Sequence, residues 1–229
     1  MTEHEKQKSK HKLYKSEESN NISMLPGDLQ GSPDESLNST IVFIDEGFLG
    51  KLSKHFGKGK YLKFNKIIFA QNLCKKERLN CKNILYYTSP PFQGNIPTKD
   101  EELKKEGYDR FIRKLNRSDK ITIREGRCQR IKSEEKFVYK QKAVDILLAM
   151  DLMSIPINFP GMKRIILISS DSDFVPVVKF LREKGIRIIL YTYYESKRNT
   201  PFSRSNYLIK SVNKYVLLTK QDFQDSPLK

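Results

Sequence analysis

Two short apolar runs each end in acidic residues, and this arrangement constrains the fold more than any other feature of the chain. Residues 165–168 are Ile, Ile, Leu and Ile and lead into Asp171 and Asp173, whereas residues 41–44 are Ile, Val, Phe and Ile and lead into Asp45. Continuously apolar runs of this length are typical of strands in parallel sheets, which are buried on both faces. The carboxyl ends of such strands meet along one edge of the sheet, where ligands bind. The sequence therefore predicts that these acids lie together.

Strand-like and helix-like segments alternate through most of the chain. We expect a polar turn at residues 132–135, a loop through Pro156, Pro160 and Gly161, and an N-cap at Thr98 with Glu101 in a capping box. This order predicts an α/β fold with a parallel sheet between two layers of helices. Strands are expected at residues 40–44, 83–87, 120–124, 163–168, 186–191 and 216–219, and helices at residues 48–55, 63–79, 98–115, 138–153, 175–184 and 206–215.

Composition divides the chain into three parts. Residues 1–39 contain little apolar surface to offset the entropy of ordering, so we expect a disordered polar tail there. Residues 40–220 are expected to form one domain, followed by a short polar tail at residues 221–229.

The sequence also indicates a compartment. The first residues are charged and lack the apolar segment of a secretory signal, and no apolar run approaches the roughly 18–20 residues of a membrane span. Three cysteines without paired spacing favour a reducing environment. We therefore expect a soluble cytoplasmic protein that does not contact a membrane.

The positive charge belongs to the expected domain. The whole chain carries a formal charge of +16, and residues 1–39 hold five lysines against seven acids, so residues 40–229 hold 38 basic against 20 acidic residues, or +18. A domain this basic is expected to bind a polyanion, most commonly nucleic acid, although a lysine-rich solvated surface is the alternative. Arginine can clamp phosphates and tyrosine can stack on exposed bases. The candidate contacts are Arg127, Arg130, Lys142, Tyr193, Tyr194, Lys197 and Arg198.

A third acid-bearing segment, residues 141–152, is apolar beyond Lys142 except for Asp145 and Asp151. Clustered carboxylates repel one another unless a cation joins them, and Mg²⁺ or Mn²⁺ prefers such hard oxygen ligands. We therefore predict a site for Mg²⁺ or Mn²⁺ formed by Asp45, Asp145, Asp171 and Asp173, with Asp151 as a less certain member. Simpler roles remain open: Asp45 capping a turn, Asp145 pairing with Lys142, and Asp173 capping the helix that begins near Pro176.

Three motifs, TIVFIDEGFL at residues 40–49, QKAVDILLAMDL at residues 141–152 and ILISSDSDFVP at residues 166–176, resemble those of the NYN (LabA-like) branch of PIN-like nucleases. The resemblance covers about residues 40–220. It implies a PIN-like Rossmannoid three-layer sandwich with about five parallel strands in the order 3-2-1-4-5. It also implies RNA cleavage dependent on Mg²⁺ or Mn²⁺, with Asp45, Asp145, Asp171 and Asp173 as the catalytic acids.

The sequence departs from the family pattern at four positions. Glu46, Ala143 and Ser170 stand where the family often has glycine, and Asn213 falls where relatives often carry aspartate. We expect a divalent-metal-dependent endoribonuclease acting on RNA, with single-stranded DNA as a second candidate substrate and a homo-oligomer left open. The alternatives are a nucleic-acid-binding or regulatory module without turnover and, more remotely, a small-molecule phosphatase.

Overall fold

The computed structural model describes residues 38–133, 136–196, 200 and 202–228. The tail predicted at residues 1–39 therefore lies almost entirely outside the described residues, as do Lys197 and Arg198. No helix in the described ranges combines the length and the apolar character needed to cross a bilayer.

The elements alternate as the sequence predicts, with two additions, a hairpin at residues 127–142 and a last helix at residues 220–224. The strands are β1 (Ser39–Asp45), β2 (Asn80–Thr88), β3 (Ile121–Glu125), β4 (Arg127–Ser133), β5 (Lys136–Lys142), β6 (Arg164–Ile168), β7 (Arg187–Thr192) and β8 (Lys214–Leu217). The helices are α1 (Glu46–Phe56), α2 (Lys66–Lys76), α3 (Lys99–Leu115), α4 (Val144–Asn158), α5 (Val175–Glu183), α6 (Asn206–Ser211) and α7 (Lys220–Gln224). A single 3-10 turn, Ser172–Phe174, precedes α5. Thr98 caps α3 and forms the predicted capping box with Glu101.

Six strands form one parallel sheet in the order β3-β2-β1-β6-β7-β8. Without the separate β4–β5 hairpin, this is the predicted order 3-2-1-4-5 with a sixth strand added at the β7 edge. The fold prediction is confirmed. In the middle of the sheet β1 pairs with β6, and Ile44 lies opposite Ile168, so the residues that follow these strands leave the sheet side by side.

Alternating side chains of the strands pack into two separate cores. On β1, Val42 and Ile44 face one core, and Ile41 and Phe43 face the other; all four are almost completely buried. Helices α1, α2, α3 and α7 contribute to the first core, and α4, α5 and α6 contribute to the second. A sheet with helices on both faces explains why its central strands are apolar throughout.

The β4–β5 hairpin was not predicted, and it corrects the predicted helix at residues 138–153. Strand β5 pairs antiparallel with β4 as far as Lys142, and helix α4 begins only at Val144. Phe137, Val138 and Tyr139 are 56%, 40% and 53% exposed. A helix prediction from periodicity assumes that the apolar residues of the pattern are buried in the core. These three residues are apolar but exposed, so the assumption fails here.

Helix α4 is also longer than predicted at its other end, because Pro156 lies inside it rather than in the following loop. Proline lacks a backbone N–H and therefore removes one helical hydrogen bond near the end of the helix. The helix nevertheless continues to Asn158, and Phe159 closes it with a hydrogen bond from its N–H to Ile155 O of 2.9 Å. Leu152 and Ile155 are fully buried, which stabilises this last turn.

The polar tail predicted at residues 221–229 is wrong, because residues 220–224 form α7 and pack onto the first core. Phe223 is 1% exposed, and its ring contacts those of Phe56, Phe64 and Phe69. Asp222 accepts hydrogen bonds from Thr219 and forms an ion pair with Lys76 of α2. One buried aromatic ring per helix is enough to anchor so short a segment.

Candidate active site

Asp45 occupies the point where β1 passes directly into α1. Its Oδ1 accepts a hydrogen bond from the backbone N–H of Phe48 at 3.2 Å, so that it is the N-cap of α1, as the simpler interpretation of the sequence allowed. Its Oδ2 accepts a second bond from the Ser169 hydroxyl at 2.9 Å. The residue is only 8% exposed. Two donors therefore orient a carboxylate that is largely removed from water.

Ser169 connects the two acidic motifs. It follows β6, and its Oγ accepts a hydrogen bond from the backbone N–H of Asp171 at 3.2 Å while its hydroxyl donates to Asp45. Asp171 in turn accepts a bond from the backbone N–H of Asp173 at 2.9 Å. Asp171 caps the 3-10 turn, which begins at Ser172, three residues before α5. Asp173 therefore lies inside the turn and does not cap α5, whose N-cap position is Phe174. Asp173 has an exposed side chain.

Asp145 enters the site from a different element, the first turn of α4. The residue before that helix, Ala143, has φ of 67°, and this left-handed conformation turns the chain sharply from β5 into the helix. Asp145 is exposed at its tip, yet partial burial raises its pKa, and so do the neighbouring carboxylates of Asp171 and Asp173. The ammonium group of Lys51 on α1 has the opposite effect.

The electrostatics show that these acids share one region. Burial raises the pKa of Asp45 from its ordinary value of 3.8 to about 6, and the hydrogen bonds from Phe48 and Ser169 only partly oppose this. The charges of Asp145 and Asp171 raise the pKa of Asp45 further. Within the described ranges, no lysine, arginine or histidine forms an ion pair with these three carboxylates. The site therefore concentrates negative charge that a cation would relieve.

The donor set suits a hard divalent cation, although it is not a closed cage. In the described part of the chain, no three His, Cys, Asp or Glu side chains are grouped closely enough to coordinate one ion together. Mg²⁺ is commonly held by only one or two carboxylates and completes its shell with water and substrate phosphate. Asp45, Asp145 and Asp171 fit that kind of open site, in which the substrate supplies part of the coordination.

Asp151, the less certain candidate, is engaged elsewhere. The Arg124 guanidinium donates to both of its carboxylate oxygens, at 2.7 and 2.8 Å, and the Tyr87 hydroxyl donates to Oδ2 at 2.9 Å. A bidentate arginine and a tyrosine satisfy the carboxylate without a cation. Asp151 thus joins α4 to β2 and β3, and we do not include it among the proposed metal ligands.

Two clefts adjoin the acids. A cleft of about 970 Å³ extends along α1 and β5, and a smaller one of about 390 Å³ extends from Asp171 to α6. Sequence reasoning did not select most of the side chains that line them, because the larger cleft depends on the unpredicted hairpin. Those of the larger cleft include Lys51, Tyr61, Tyr139, Lys140 and Gln141, and those of the smaller one include Ser170, Arg204 and Tyr207.

A family model described as the NYN domain matches residues 60–217 of the chain. The match spans more than two-thirds of the sequence, including Asp145 and Asp171. This chain belongs to the NYN domain family. NYN domains are part of the PIN-like nuclease superfamily, which agrees with the observed sheet order. The match begins after Asp45, whose place in the site rests on the structure.

A solved structure provides a further comparison. The crystal structure of a protein of unknown function from Vibrio parahaemolyticus is similar to this NYN domain, with a TM-score of 0.50 and 16% identity. The alignment covers 81% of this chain and 95% of that one. At this identity the likeness shows the fold alone. No curated protein matches the chain.

Two of the departures from the NYN pattern are explained locally. Asn213 lies by the start of β7, at the opposite edge of the sheet from the acids, where its Oδ1 accepts the Ile188 N–H at 2.9 Å. It therefore has no part in the acidic site. Ala143 holds a left-handed conformation that glycine adopts without strain. Ser170 lines the smaller cleft, and Glu46 lines the larger one.

Some of the predicted nucleic-acid contacts are already packed against other side chains, and others are exposed. Arg130 packs against the rings of Phe92 and Phe137 and pairs with Glu101 at 3.6 Å, so it holds the hairpin in place. Tyr193 and Tyr194 are half-buried. The ring of Tyr193 contacts His55, Phe56 and Phe202, and Arg204 covers that of Tyr194. Arg127 and Lys142 are exposed and face each other on β4 and β5, where they remain candidates for phosphate contacts.

Proposed function

We propose that this NYN domain is a divalent-metal-dependent ribonuclease that hydrolyses phosphodiester bonds of RNA at the Asp45 site. The observation that carries the proposal is the convergence of Asp45, Asp145 and Asp171 from three elements. Burial and the charges of neighbouring carboxylates raise the pKa values of Asp45 and Asp145, and the described residues offer these acids no ion-paired partner. Carboxylates assembled in this way are suited to hold Mg²⁺ or Mn²⁺.

In this proposal each acidic side chain has a role. Asp45, fixed by Ser169 and the Phe48 N–H, and Asp145 and Asp171 would hold the cation. When bound there, a cation would supply activation of water for in-line attack and stabilisation of the charge that develops on the phosphate. Asp173, exposed beside Asp171, would orient the attacking water or a ligand of the cation.

The surrounding charge supports a polyanionic substrate. Residues 40–229 carry a formal charge of +18, although the centre of the site is acidic. Basic surfaces attract the phosphate backbone from a distance, while the acidic centre excludes it unless a cation intervenes. A cation would therefore be required to hold the scissile phosphate at the acidic centre and to cleave it, whereas the basic surface around the site would bind the strand without a cation.

A single experiment tests this proposal. The protein is incubated with 5′-labelled single-stranded RNA and DNA of the same sequence in Mn²⁺, Mg²⁺ or EDTA. Wild type is expected to cleave RNA in the presence of metal, whereas Asp45→Asn and Asp171→Asn are expected to lose at least a hundredfold in rate. Asp119→Asn, an exposed residue in the turn before β3, serves as the control variant. Cleavage that persists in EDTA or in Asp45→Asn would contradict the proposal.

The second candidate is a nucleic-acid-binding module without turnover. The absence of a closed group of three metal-ligating side chains in the described ranges favours it over a preformed catalytic centre. Binding of RNA by wild type, without cleavage in either metal, would support this candidate.

A further inference from the structure

The cleft of about 970 Å³ has no role in holding the proposed cation, and its walls have an unusual composition. It lies between α1, the segment before α2, and strand β5. Its volume is in the range of pockets that enclose small organic ligands. The lining residues used below are Glu46, Gly47, Lys51, Tyr61, Lys66, Tyr139 and Lys140.

The outer walls present two exposed tyrosines and two exposed lysines. Tyr61 is 68% exposed and Tyr139 is 53% exposed, so both rings are accessible from the cleft. Lys51 and Lys140 are exposed on the same cleft. Aromatic rings interspersed with cations are the combination that binds single-stranded nucleic acid, by stacking on bases and by pairing with phosphates.

The floor contains a buried acid and a buried base. The Glu46 carboxylate lies 3.6 Å from the Lys66 ammonium, and their side chains are 23% and 10% exposed. Burial lowers the pKa of Lys66, and Glu46 partly opposes this. The ammonium also lies 3.8 Å from the centre of the Phe64 ring. Charged groups so far removed from water are costly unless they are well hydrogen-bonded.

The hydrogen bonding of this floor is incomplete. Glu46 Oε2 and the Tyr86 hydroxyl are both buried and lie near each other, but neither makes a hydrogen bond of good geometry to a described residue. The 3.6 Å contact with Lys66 is an ion pair that is longer than a hydrogen bond. Unsatisfied buried polar atoms are rare in folded proteins and require an explanation. A ligand that donates to Glu46 would provide one.

The cleft adjoins the acidic site at Glu46 and Gly47, which follow Asp45 in the chain, although none of the four acids lines it. A Cβ placed on Gly47 would lie 3.1 Å from Asp45 Oδ1 and 3.3 Å from Gln141 Oε1, so the backbone between Glu46 and the acids is closely packed. Lys51, which lines the cleft, also influences the pKa of Asp145. A nucleotide in the cleft would therefore adjoin a phosphate at the Asp45 site.

We propose that this cleft binds an unpaired guanine base of the strand whose phosphate lies at the acidic site, with Glu46 and Lys66 contacting its Watson–Crick edge. Guanine presents two adjacent donors, N1–H and N2–H, beside the O6 acceptor. A carboxylate accepts from both donors, and a neighbouring ammonium donates to O6. Tyr61 and Tyr139 supply stacking surfaces. The inference rests on the proposed function in taking a single strand as the substrate and in placing its phosphate at the acidic site.

The other bases match this floor less well. Adenine and cytosine each present one amino donor next to an acceptor nitrogen, which would face the carboxylate. Uracil presents one N–H between two carbonyl oxygens, both of which the carboxylate repels. A site built for a bidentate contact commonly discriminates by a factor of roughly ten or more.

The test measures binding without metal, so that it does not depend on cleavage. Fluorescent decauridine strands carry guanine, inosine, adenine or uracil at one central position, and their dissociation constants are measured by anisotropy in EDTA. Inosine keeps N1–H and O6 but lacks the N2 amino group. We expect the guanine strand to bind roughly tenfold more tightly than the uracil strand, with inosine between them.

Two variants separate recognition from general affinity. Glu46→Gln is expected to remove the guanine preference, and Tyr61→Ala is expected to weaken all four strands equally. The matched control is Glu77→Gln, because Glu77 also pairs with a lysine, Lys214, but lies at the opposite edge of the sheet. Thermal unfolding confirms that each variant is folded.

The outcomes for the two proposals are distinct. Equal affinity of wild type for guanine and uracil strands, or a guanine preference that survives in Glu46→Gln, overturns the guanine site whether or not the protein cleaves RNA. A guanine preference without any cleavage in Mn²⁺ supports the guanine site and counts against the ribonuclease.

Discussion

Replacing Asp45 by asparagine should make the protein more stable at neutral pH while it abolishes metal-dependent cleavage. Asp45 is buried, and its pKa is raised from 3.8 to about 6. The folded protein therefore holds a proton on this carboxyl between about pH 4 and pH 6, where the unfolded chain has lost it. Stability consequently falls as the pH rises through this window, and the full penalty is present above pH 6.

The size of the penalty follows from the pKa difference. Each pKa unit corresponds to 1.36 kcal/mol, so ionised Asp45 costs the folded state about 3 kcal/mol at pH 7. An asparagine can still accept the Phe48 N–H, but the Ser169 hydroxyl loses its charged acceptor at a cost of about 1 kcal/mol. The expected net gain for Asp45→Asn is about 2 kcal/mol at pH 7. At pH 4.5 the penalty is only about 1 kcal/mol, so the gain disappears.

Urea unfolding followed by circular dichroism at pH 7 and pH 4.5, in EDTA, measures this difference. At pH 7 the expected gain corresponds to an increase in Tm of about 4–8 °C for a domain of this size. Asp119 is exposed, so Asp119→Asn should change the free energy of unfolding by no more than about 0.5 kcal/mol at either pH. The reasoning would be refuted by an Asp45→Asn variant that is less stable than wild type at pH 7. It would also be refuted if the variant gained the same stability at pH 4.5 as at pH 7.

Three further predictions concern residues that the structure places outside the acidic centre. Ala143→Gly should stabilise the protein by about 1 kcal/mol in urea unfolding, because Ala143 has φ of 67° and glycine adopts this conformation without strain; unchanged or lower stability would contradict this. Arg124→Met should cost about 2 kcal/mol, because it removes both guanidinium bonds to Asp151, yet it should leave the cleavage rate per folded molecule unchanged; a specific loss of metal dependence would instead make Asp151 part of the site. Phe223→Ala should cost about 3–5 kcal/mol in the same assay, since its ring is 1% exposed; a cost below about 1 kcal/mol would show that the C-terminal segment is a tail after all.

The sequence predicts the positions of Asp45 and Asp171 well, because Asp45 ends one continuously apolar strand and Asp171 follows another after two serines. Parallel pairing of β1 with β6 then brings their ends together without further information. Asp145 is harder to place, since its approach to the other acids depends on the left-handed turn at Ala143. A single sequence does not reveal that conformation, because alanine seldom adopts it.

The elements missed from the sequence share a physical cause, which is that local apolarity did not indicate burial. Phe137, Val138 and Tyr139 are apolar but exposed on β5, and the helix predicted at residues 138–153 wrongly includes the last two of them. Residues 220–224 are mostly polar, yet Phe223 alone anchors them to the core. The spacing of Thr219 and Asp222, which form a capping box, was the available signal for that helix.

Asp151 and Asp145 illustrate how the structure accounts for two acids of one helix, of which the sequence made Asp151 the less certain ligand. Both lie on the same apolar helix, but Asp151 has a bidentate arginine and a tyrosine as partners. Burial and the carboxylates of Asp171 and Asp173 instead raise the pKa of Asp145, and Lys51 opposes this. A satisfied carboxylate stabilises the fold, and an unsatisfied cluster destabilises it unless a cation is bound. Asp45 lowers the stability of the fold, and core packing does not require a charged group there. A residue of this kind is expected where a bound ligand offsets the loss of stability, so the cost at Asp45 is itself an argument for function.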